Sequence, residues 1–139
     1  MKLPLPQKMA NRFAIIHSKI IEVMMDKNLA KLGDTYVNFA FSLAESYRSG
    51  KGTNSRVPTK VLSESLKRAG LRSLLPRRTP LHEQADAVEA LVIYSWLVKA
   101  MTLEECVTLL SDEGKEAVEL FSGLVHEIAG RLSFVEKTS

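Results

Sequence analysis

The most apolar stretch of the chain covers residues 85–98 and contains only two charged residues, Asp86 and Glu89. Apolar side chains fall on nearly every side of a helix drawn through it, which is typical of a helix buried on all faces. The two carboxylates are three residues apart and therefore project from one face of that helix. Burying like charges side by side is costly unless a cation or hydrogen-bond donors meet them. The pattern therefore predicts a buried helix whose acids need a partner.

Residues 32–44 repeat this pattern with a single charge, Asp34. We interpret Asp34, Asp86 and Glu89 as acids that two helices bring together around a metal ion. Carboxylates without a cysteine cluster favour a hard cation such as Mg²⁺ or Mn²⁺. The alternative is that the acids form ordinary surface ion pairs, for instance Asp34 with Lys31.

The periodicity of apolar positions predicts six helices and no strand, which indicates one all-α domain, a helical bundle, over residues 1–139. The predicted helices cover residues 8–25, 26 or 28 to about 46, 58–69, 79 to about 100, Leu103–Leu110, and 111 to about 134. The residues expected to cap helix starts are Asp26 or Asn28, Thr79 before Pro80, Thr102 with Glu105, and Ser111. Gly33 costs roughly 1 kcal/mol relative to alanine inside a helix, so we expect another element to approach closely there.

The composition favours a compact globular domain: the chain has 139 residues, of which 45% are hydrophobic and 25% are charged. Cys106 is the single cysteine, so no intrachain disulfide can form and a reducing compartment is expected. No apolar run reaches the ~18 residues that a membrane span needs, and the start lacks the apolar core of a signal peptide. We therefore expect a cytoplasmic protein without a membrane partner.

Opposite charges are segregated along the chain. Residues 48–78, called the basic segment below, contain nine basic residues against one acid, Glu64, which is a net charge of +8. Residues 79–139 contain four basic and eleven acidic residues, a net charge of −7. Such segregation favours a polyanionic partner on one face, and the alternative is a solvated basic surface without a partner. Within the basic segment, residues 49–56 (SGKGTNSR) predict a mobile loop.

Two short motifs carry a resemblance to a known family. Residues 29–37, LAKLGDTYV, resemble the ribonuclease III motif LEFLGDAVL, and residues 85–91, ADAVEAL, resemble that family's second motif, ADxxEAL. Residues 58–75 are similar to the helix between the two motifs. The motifs occur in the family's order, and the resemblance extends from the first predicted helix to at least the helix that begins at residue 79.

The resemblance implies a fold and an activity. The family's endonuclease domain is an all-α homodimer in which two active sites flank a valley for double-stranded RNA. Its Mg²⁺-dependent hydrolysis leaves a 5′-phosphate and a 3′-hydroxyl. By their place in the motifs, Asp34, Asp86 and Glu89 match catalytic acids that hold the metal.

Several positions depart from the family pattern. Ala30 stands where the first motif has a glutamate, and Lys27 stands where the family has another acid. No double-stranded-RNA-binding domain follows, so the chain is similar to the small Mini-ribonuclease III branch, although that branch usually has no acid at the position of Asp86. These departures leave the metal affinity of the site as the property that decides activity.

The leading hypothesis is a homodimeric endoribonuclease that uses Mg²⁺ or Mn²⁺ to hydrolyse double-stranded or structured RNA. Its expected phosphate contacts are Arg48, Lys51, Arg56, Lys60, Arg72, Arg77 and Arg78. The second hypothesis is a catalytically weak or inactive RNA-binding or ribonucleoprotein subunit on the same fold, which Ala30 favours. A third is a helical dimerisation module unrelated to RNA, which leaves the acids unexplained.

Overall fold

The structure is a computed structural model that describes residues 3–13 and 17–138. Within those residues the chain forms seven α-helices and one 3₁₀ turn. The helices are α1 (Leu5–Phe13), α2 (Ile20–Met24), α3 (Lys27–Ser49), α4 (Thr59–Arg68), α5 (Leu81–Leu97), α6 (Leu103–Leu110) and α7 (Ala117–Thr138), and the 3₁₀ turn is Arg72–Leu74. No strand occurs in the described ranges, which confirms the predicted all-α class.

Helix α5 lies at the centre of the bundle. Twelve of its 17 residues are buried, as its apolar sequence predicted. Helix α3 packs along it over the longest contact, and α4, α7 and α2 cover its other sides. The largest side chains of the core, such as Leu91, Leu97 and Phe121, fill the space between these helices and are essentially inaccessible to solvent. The burial of α5 therefore contributes a substantial part of the hydrophobic stabilisation of the fold.

The crossing of α3 and α5 depends on Gly33. A Cβ atom built at Gly33 would lie 2.0 Å from the backbone carbonyl oxygen of Glu89, much closer than any two such atoms can approach. The expectation of a close approach at this glycine is therefore confirmed. Because the two backbones meet here, the next residue of α3, Asp34, is brought beside Glu89 of α5.

The single helix predicted over residues 8–25 is wrong, because α1 ends at Phe13 and α2 begins at Ile20. The carboxylate of Glu22 accepts hydrogen bonds from the backbone amides of Ser18 and Lys19, which gives α2 its own start. Residues 14–16 of that predicted helix lie outside the described residues.

The capping box at the start of α6 is confirmed, since Thr102 and Glu105 bond each other's backbone amides. The helix predicted to start at Ser111 begins instead at Ala117. The Ser111 hydroxyl donates to the carbonyl of Val107 and so closes α6, and Gly114 then turns the chain with a φ of 84°.

The predicted cap at the start of α5 is also wrong. The Thr79 hydroxyl donates to the carbonyl of Pro76 and closes the preceding turn, while Pro80 occupies the cap position without a side-chain hydrogen bond. The helix ends at Leu97, near the predicted residue 100. In the described part of the chain, no helix is both long and apolar enough to cross a membrane.

Candidate active site

The three acids singled out from the sequence meet at one cleft between α3 and α5. Its volume is about 410 Å³. The cleft is lined by Lys27, Ala30, Lys31, Asp34, Arg56, Val57, Thr59, Leu62, His82, Ala85, Asp86 and Glu89. The two resembling motifs therefore face each other across a single concave surface, although they are about fifty residues apart in the sequence.

The acids differ in depth. Glu89 forms the floor of the cleft and is only 8% exposed. The side chains of Asp86 and Asp34 lie on the rim, with exposed fractions of 34% and 52%. One buried carboxyl group thus lies beneath two that solvent and a ligand can reach.

The surroundings of Glu89, the acid on the floor of the cleft, disfavour its charged form. Burial, a hydrogen bond with Asp34 and the negative charges of Asp34 and Asp86 together raise the pKa of Glu89 to about 8, and Arg56 opposes the shift. The carboxyl groups of Glu89 and Asp34 are therefore close enough to share a proton. A full set of three negative charges in this cleft needs a cation to stabilise it.

Two basic side chains of the protein lie against the rim acids. The Nζ atom of Lys27 is 3.7 Å from Oδ2 of Asp86 and 3.4 Å from Oε1 of Glu83. The Nη2 atom of Arg56 is 3.5 Å from Oδ1 of Asp34. Both cations are more than half exposed, so each pair contributes at most about 1 kcal/mol and is easily exchanged for another partner.

The donor chemistry of the cleft fits a hard divalent cation. Mg²⁺ and Mn²⁺ prefer carboxylate oxygens, and the cleft presents three carboxyl groups, of which the buried one, Glu89, has a pKa raised by its burial and by its acidic neighbours. Among residues 3–13 and 17–138, however, no three His, Cys, Asp or Glu side chains are already arranged closely enough to hold an ion. In this arrangement the rim acids Asp86 and Asp34 are paired with Lys27 and Arg56.

Ala30 lies in the same cleft and is buried, with 6% of its surface exposed. This is the position at which the sequence departs from the acid of the resembling motif. The cleft therefore offers three carboxyl groups, and the wall one turn before Asp34 is apolar.

The loop of the basic segment is held against α3. The sequence predicted a mobile loop, but the backbone amides of Thr53, Ser55 and Val57 each donate to a side chain of the helix, at 2.9, 2.9 and 2.8 Å. Their acceptors are Ser46, Ser42 and Asn38, which lie at successive four-residue steps and form what we call the polar row. The row fixes residues 53–57 and with them Arg56.

The seven cations predicted to contact phosphate lie in different settings. Lys51, Arg56, Lys60, Arg77 and Arg78 are exposed. Arg48 forms an ion pair with Glu45 on its own helix. The guanidinium of Arg72 donates to the backbone carbonyls of Leu75, Pro76 and Arg77 and so closes the turn after the 3₁₀ helix. All seven remain predictions as phosphate ligands, and for Arg48 and Arg72 a structural contact competes with that role.

Sequence reasoning missed Asn38. Its side-chain amide donates to the backbone carbonyl and to Oδ1 of Asp34, at 2.7 and 3.0 Å, and accepts from the amide of Val57. The available signal was its spacing, four residues after the candidate acid on the same helix. Cys106 is buried in the core, and burial raises the pKa of its thiol to about 12.

Comparison with known proteins identifies the same region. The family model described as Ribonuclease III matches residues 27–137, from the start of α3 nearly to the end of α7. The match contains both motifs and all three acids of the cleft. A search among curated proteins found no match.

Proposed function

We propose that this chain, which belongs to the ribonuclease III family, is a divalent-metal-dependent endoribonuclease that hydrolyses phosphodiester bonds in double-stranded or structured RNA. The family acts on double-stranded RNA and generally depends on divalent metal ions. The observation that carries the proposal is the convergence of the two family motifs on one cleft, where Gly33 lets Asp34 approach Glu89 and Asp86 completes the set.

In the proposed site Asp34, Asp86 and Glu89 would hold Mg²⁺ or Mn²⁺. When bound there, the cation would supply Lewis-acid chemistry, namely activation of a water for attack and stabilisation of negative charge on the scissile phosphate. The rim acids Asp34 and Asp86 are accessible to a ligand, while Glu89 supplies a carboxyl group from below. Because the pKa of Glu89 is raised to about 8, a cation held by this carboxyl group would displace its proton.

The exposed cations of the basic segment are proposed to bind the phosphates of the RNA. Arg56 lies on the rim of the cleft and reaches Asp34, so a phosphate near the acids can replace that contact. Lys51, Lys60, Arg77 and Arg78 extend the positive surface. Phosphate contacts of this kind fix the position of the RNA and do not read its sequence.

A homodimer is proposed on the basis of the outer face of α3. Four large apolar side chains are exposed on this face, and we call them the outer apolar stripe. They are Leu32, Phe39, Leu43 and Tyr47, with exposed fractions of 39, 52, 38 and 75%. Helix α5, by contrast, uses its apolar surface inside the chain. A stripe of this kind marks an interaction surface, and an obligate dimer interface buries on the order of 2,000 Å² or more.

A second candidate function is an RNA-binding subunit with little or no catalysis. Ala30 favours it, because the apolar wall removes one acid from the cleft, and so does Lys27, because its ammonium lies against Asp86. Both candidates use the same basic surface and the same fold. A cytoplasmic location and a single domain over residues 1–139 remain predictions from the sequence.

The test is incubation of the purified protein with a double-stranded RNA, with Mg²⁺, with Mn²⁺ and with a chelator, in parallel with a Glu89→Gln variant. We expect cleavage by the parent only when a cation is present, 5′-phosphate ends on the products, and no cleavage by the variant. RNA binding without cleavage under all conditions would support the second candidate.

A further inference from the structure

Three side chains of α3 share one task, which is to hold residues 53–57 against the helix. Ser46 and Ser42 each accept from a backbone amide and donate back to the carbonyl of the same residue, Thr53 and Ser55 respectively. Asn38 forms the third rung of this polar row through the amide of Val57. A groove of about 440 Å³ runs along the row and ends at Asp34 and Arg56.

Asn38 differs from the two serines because it uses both ends of its side chain. Its oxygen accepts from Val57, and its nitrogen donates to the Asp34 carboxylate as well as to the Asp34 carbonyl. Exchanging the nitrogen and oxygen of the amide would place an acceptor against a carboxylate and a donor against an N–H group. The orientation of the amide is therefore determined by its partners.

The hydrogen bond to Asp34 restricts an acid that would otherwise be free to move. The Asp34 side chain is about half exposed on a helix surface, where a carboxylate samples several rotamers. Asn38 and Arg56 both approach its Oδ1 atom, at 3.0 and 3.5 Å. Oδ1 is thus engaged by the α3 surface and by residues 53–57, which leaves Oδ2 for the cleft.

We propose that Asn38 is a positioning residue that orients the Asp34 carboxylate for cation binding and joins it to the segment that carries Arg56. The inference deepens the proposed function and rests on it. Its consequence is that one side chain serves two separable tasks: the orientation of an acid and the anchoring of a basic segment. The serines of the row serve only the second task.

Three single variants separate the orientation of the Asp34 carboxylate from the anchoring of residues 53–57. Asn38→Ala removes both contacts. Asn38→Ser keeps a hydroxyl that can accept from Val57, as Ser42 and Ser46 do for their partners, but loses the amide donor to the Asp34 carboxylate. Ser42→Ala is the matched control, because it removes a neighbouring rung and no contact of Asp34.

Two affinities are measured for each folded variant: that for Mn²⁺ alone by calorimetry, and that for a short RNA duplex in chelator. We expect Asn38→Ser to weaken Mn²⁺ binding on the order of tenfold, as typical for partners that orient metal ligands, and to leave RNA affinity within about twofold. Ser42→Ala should weaken RNA binding by about two- to tenfold and leave Mn²⁺ binding unchanged. Asn38→Ala should weaken both.

Thermal melts of all variants establish that each is folded and show whether stability alone explains the changes. Mn²⁺ binding by Asn38→Ser that equals that of the parent would overturn the positioning role and leave the proposed metal site intact. A parent protein that shows no Mn²⁺ binding at all would overturn both, and the two failures are distinguished by the parent titration itself.

Discussion

Residues 32–44 of α3 and residues 85–98, which include most of α5, are both apolar with few charges, but the two helices use their apolar surface differently. Helix α5 is buried along nearly its whole length, so its acid Glu89 is fixed on the floor of the cleft. Helix α3 is buried on the side that packs against α5 and α6, and its remaining surface carries the outer apolar stripe and the polar row. Helix α5 therefore acts as a rigid support, whereas α3 is the surface that contacts residues 53–57 and through which, in the proposals above, RNA and a second copy would act on the site.

The first prediction tests the contact between α3 and α5 at Gly33, where the largest effect is expected. Gly33→Ala places a methyl group against the Glu89 backbone, which cannot move aside as a flexible side chain could. We expect a loss of about 2 kcal/mol or more in the free energy of unfolding, measured by urea denaturation, despite the better helix propensity of alanine. Gly123→Ala is the control, because no atom lies within 4 Å of its new Cβ and it should stabilise α7 by up to about 1 kcal/mol. Equal stabilities of the two variants would contradict the close approach.

The floor acid gives the second prediction, a dependence of stability on pH. The pKa of Glu89 is raised from 4.5 to about 8 by folding, so ionising this group opposes folding and the parent loses stability as pH rises from about 4.5 through 8. In chelator, Glu89→Gln should therefore be more stable than the parent at pH 8 and above, by an amount on the order of a few kcal/mol, and the gap should close below pH 4.5.

Thermal melts at several pH values, with Mg²⁺ and with chelator, provide the measurement. If Glu89 belongs to the metal site, Mg²⁺ should stabilise the parent by mass action and the variant much less, while RNA binding stays nearly intact. A variant that responds to Mg²⁺ as the parent does would remove Glu89 from the site. A variant less stable than the parent at all pH values would instead indicate a structural ion pair.

The outer face of α3 gives the third prediction, which concerns the dimer. Leu43→Lys introduces a charge into the outer apolar stripe, and a two-fold dimer presents it twice. We expect the dimer dissociation constant to rise by about tenfold or more in sedimentation experiments. Leu74→Lys, an exposed leucine on the 3₁₀ turn, should leave it unchanged. A parent that is monomeric at micromolar concentration would exclude the proposed dimer.

The basic segment gives a smaller effect. Replacing Arg77 and Arg78 together by alanine should flatten the slope of log RNA affinity against log salt concentration by up to ~2, because two phosphate contacts are lost. Replacing Lys99 and Lys115 from the acidic part of the chain removes the same charge and should leave the slope unchanged. If the Arg77 and Arg78 variant keeps the parent slope, the RNA lies on another surface.

The rim cation Lys27 gives the smallest effect. Its ammonium competes with a divalent cation for Asp86, so Lys27→Gln should tighten Mn²⁺ binding by about two- to fivefold, the range expected of an exposed ion pair. Lys60→Gln, at the start of α4, removes the same charge away from the cleft and should change Mn²⁺ affinity little. Weaker Mn²⁺ binding by Lys27→Gln would show that Lys27 supports the site and does not compete in it.

Several features were predictable because they follow from local chemistry. The apolar sequence of α5 indicated its burial, the glycine at position 33 indicated a close approach, and Thr102 with Glu105 indicated the start of α6. The errors have local causes as well. The apolar periodicity over residues 8–25 did not reveal that Glu22 caps the start of a separate helix, α2. Ser111 resembled the first residue of a helix, although its hydroxyl closes the preceding helix α6.

The sequence by itself determined which residues are available to the site: three acids in two apolar stretches, an alanine and a lysine where the resembling pattern has acids, and a basic segment between the motifs. Only the tertiary structure decided their roles. Glu89 lies deeper in the cleft than Asp34, and this burial raises the pKa of Glu89. The guanidinium of Arg72 is held in a turn because the fold brings backbone carbonyl groups within its reach. The physical reason is that solvent access and hydrogen-bond partners depend on which elements meet, whereas residue types and helix periodicity do not.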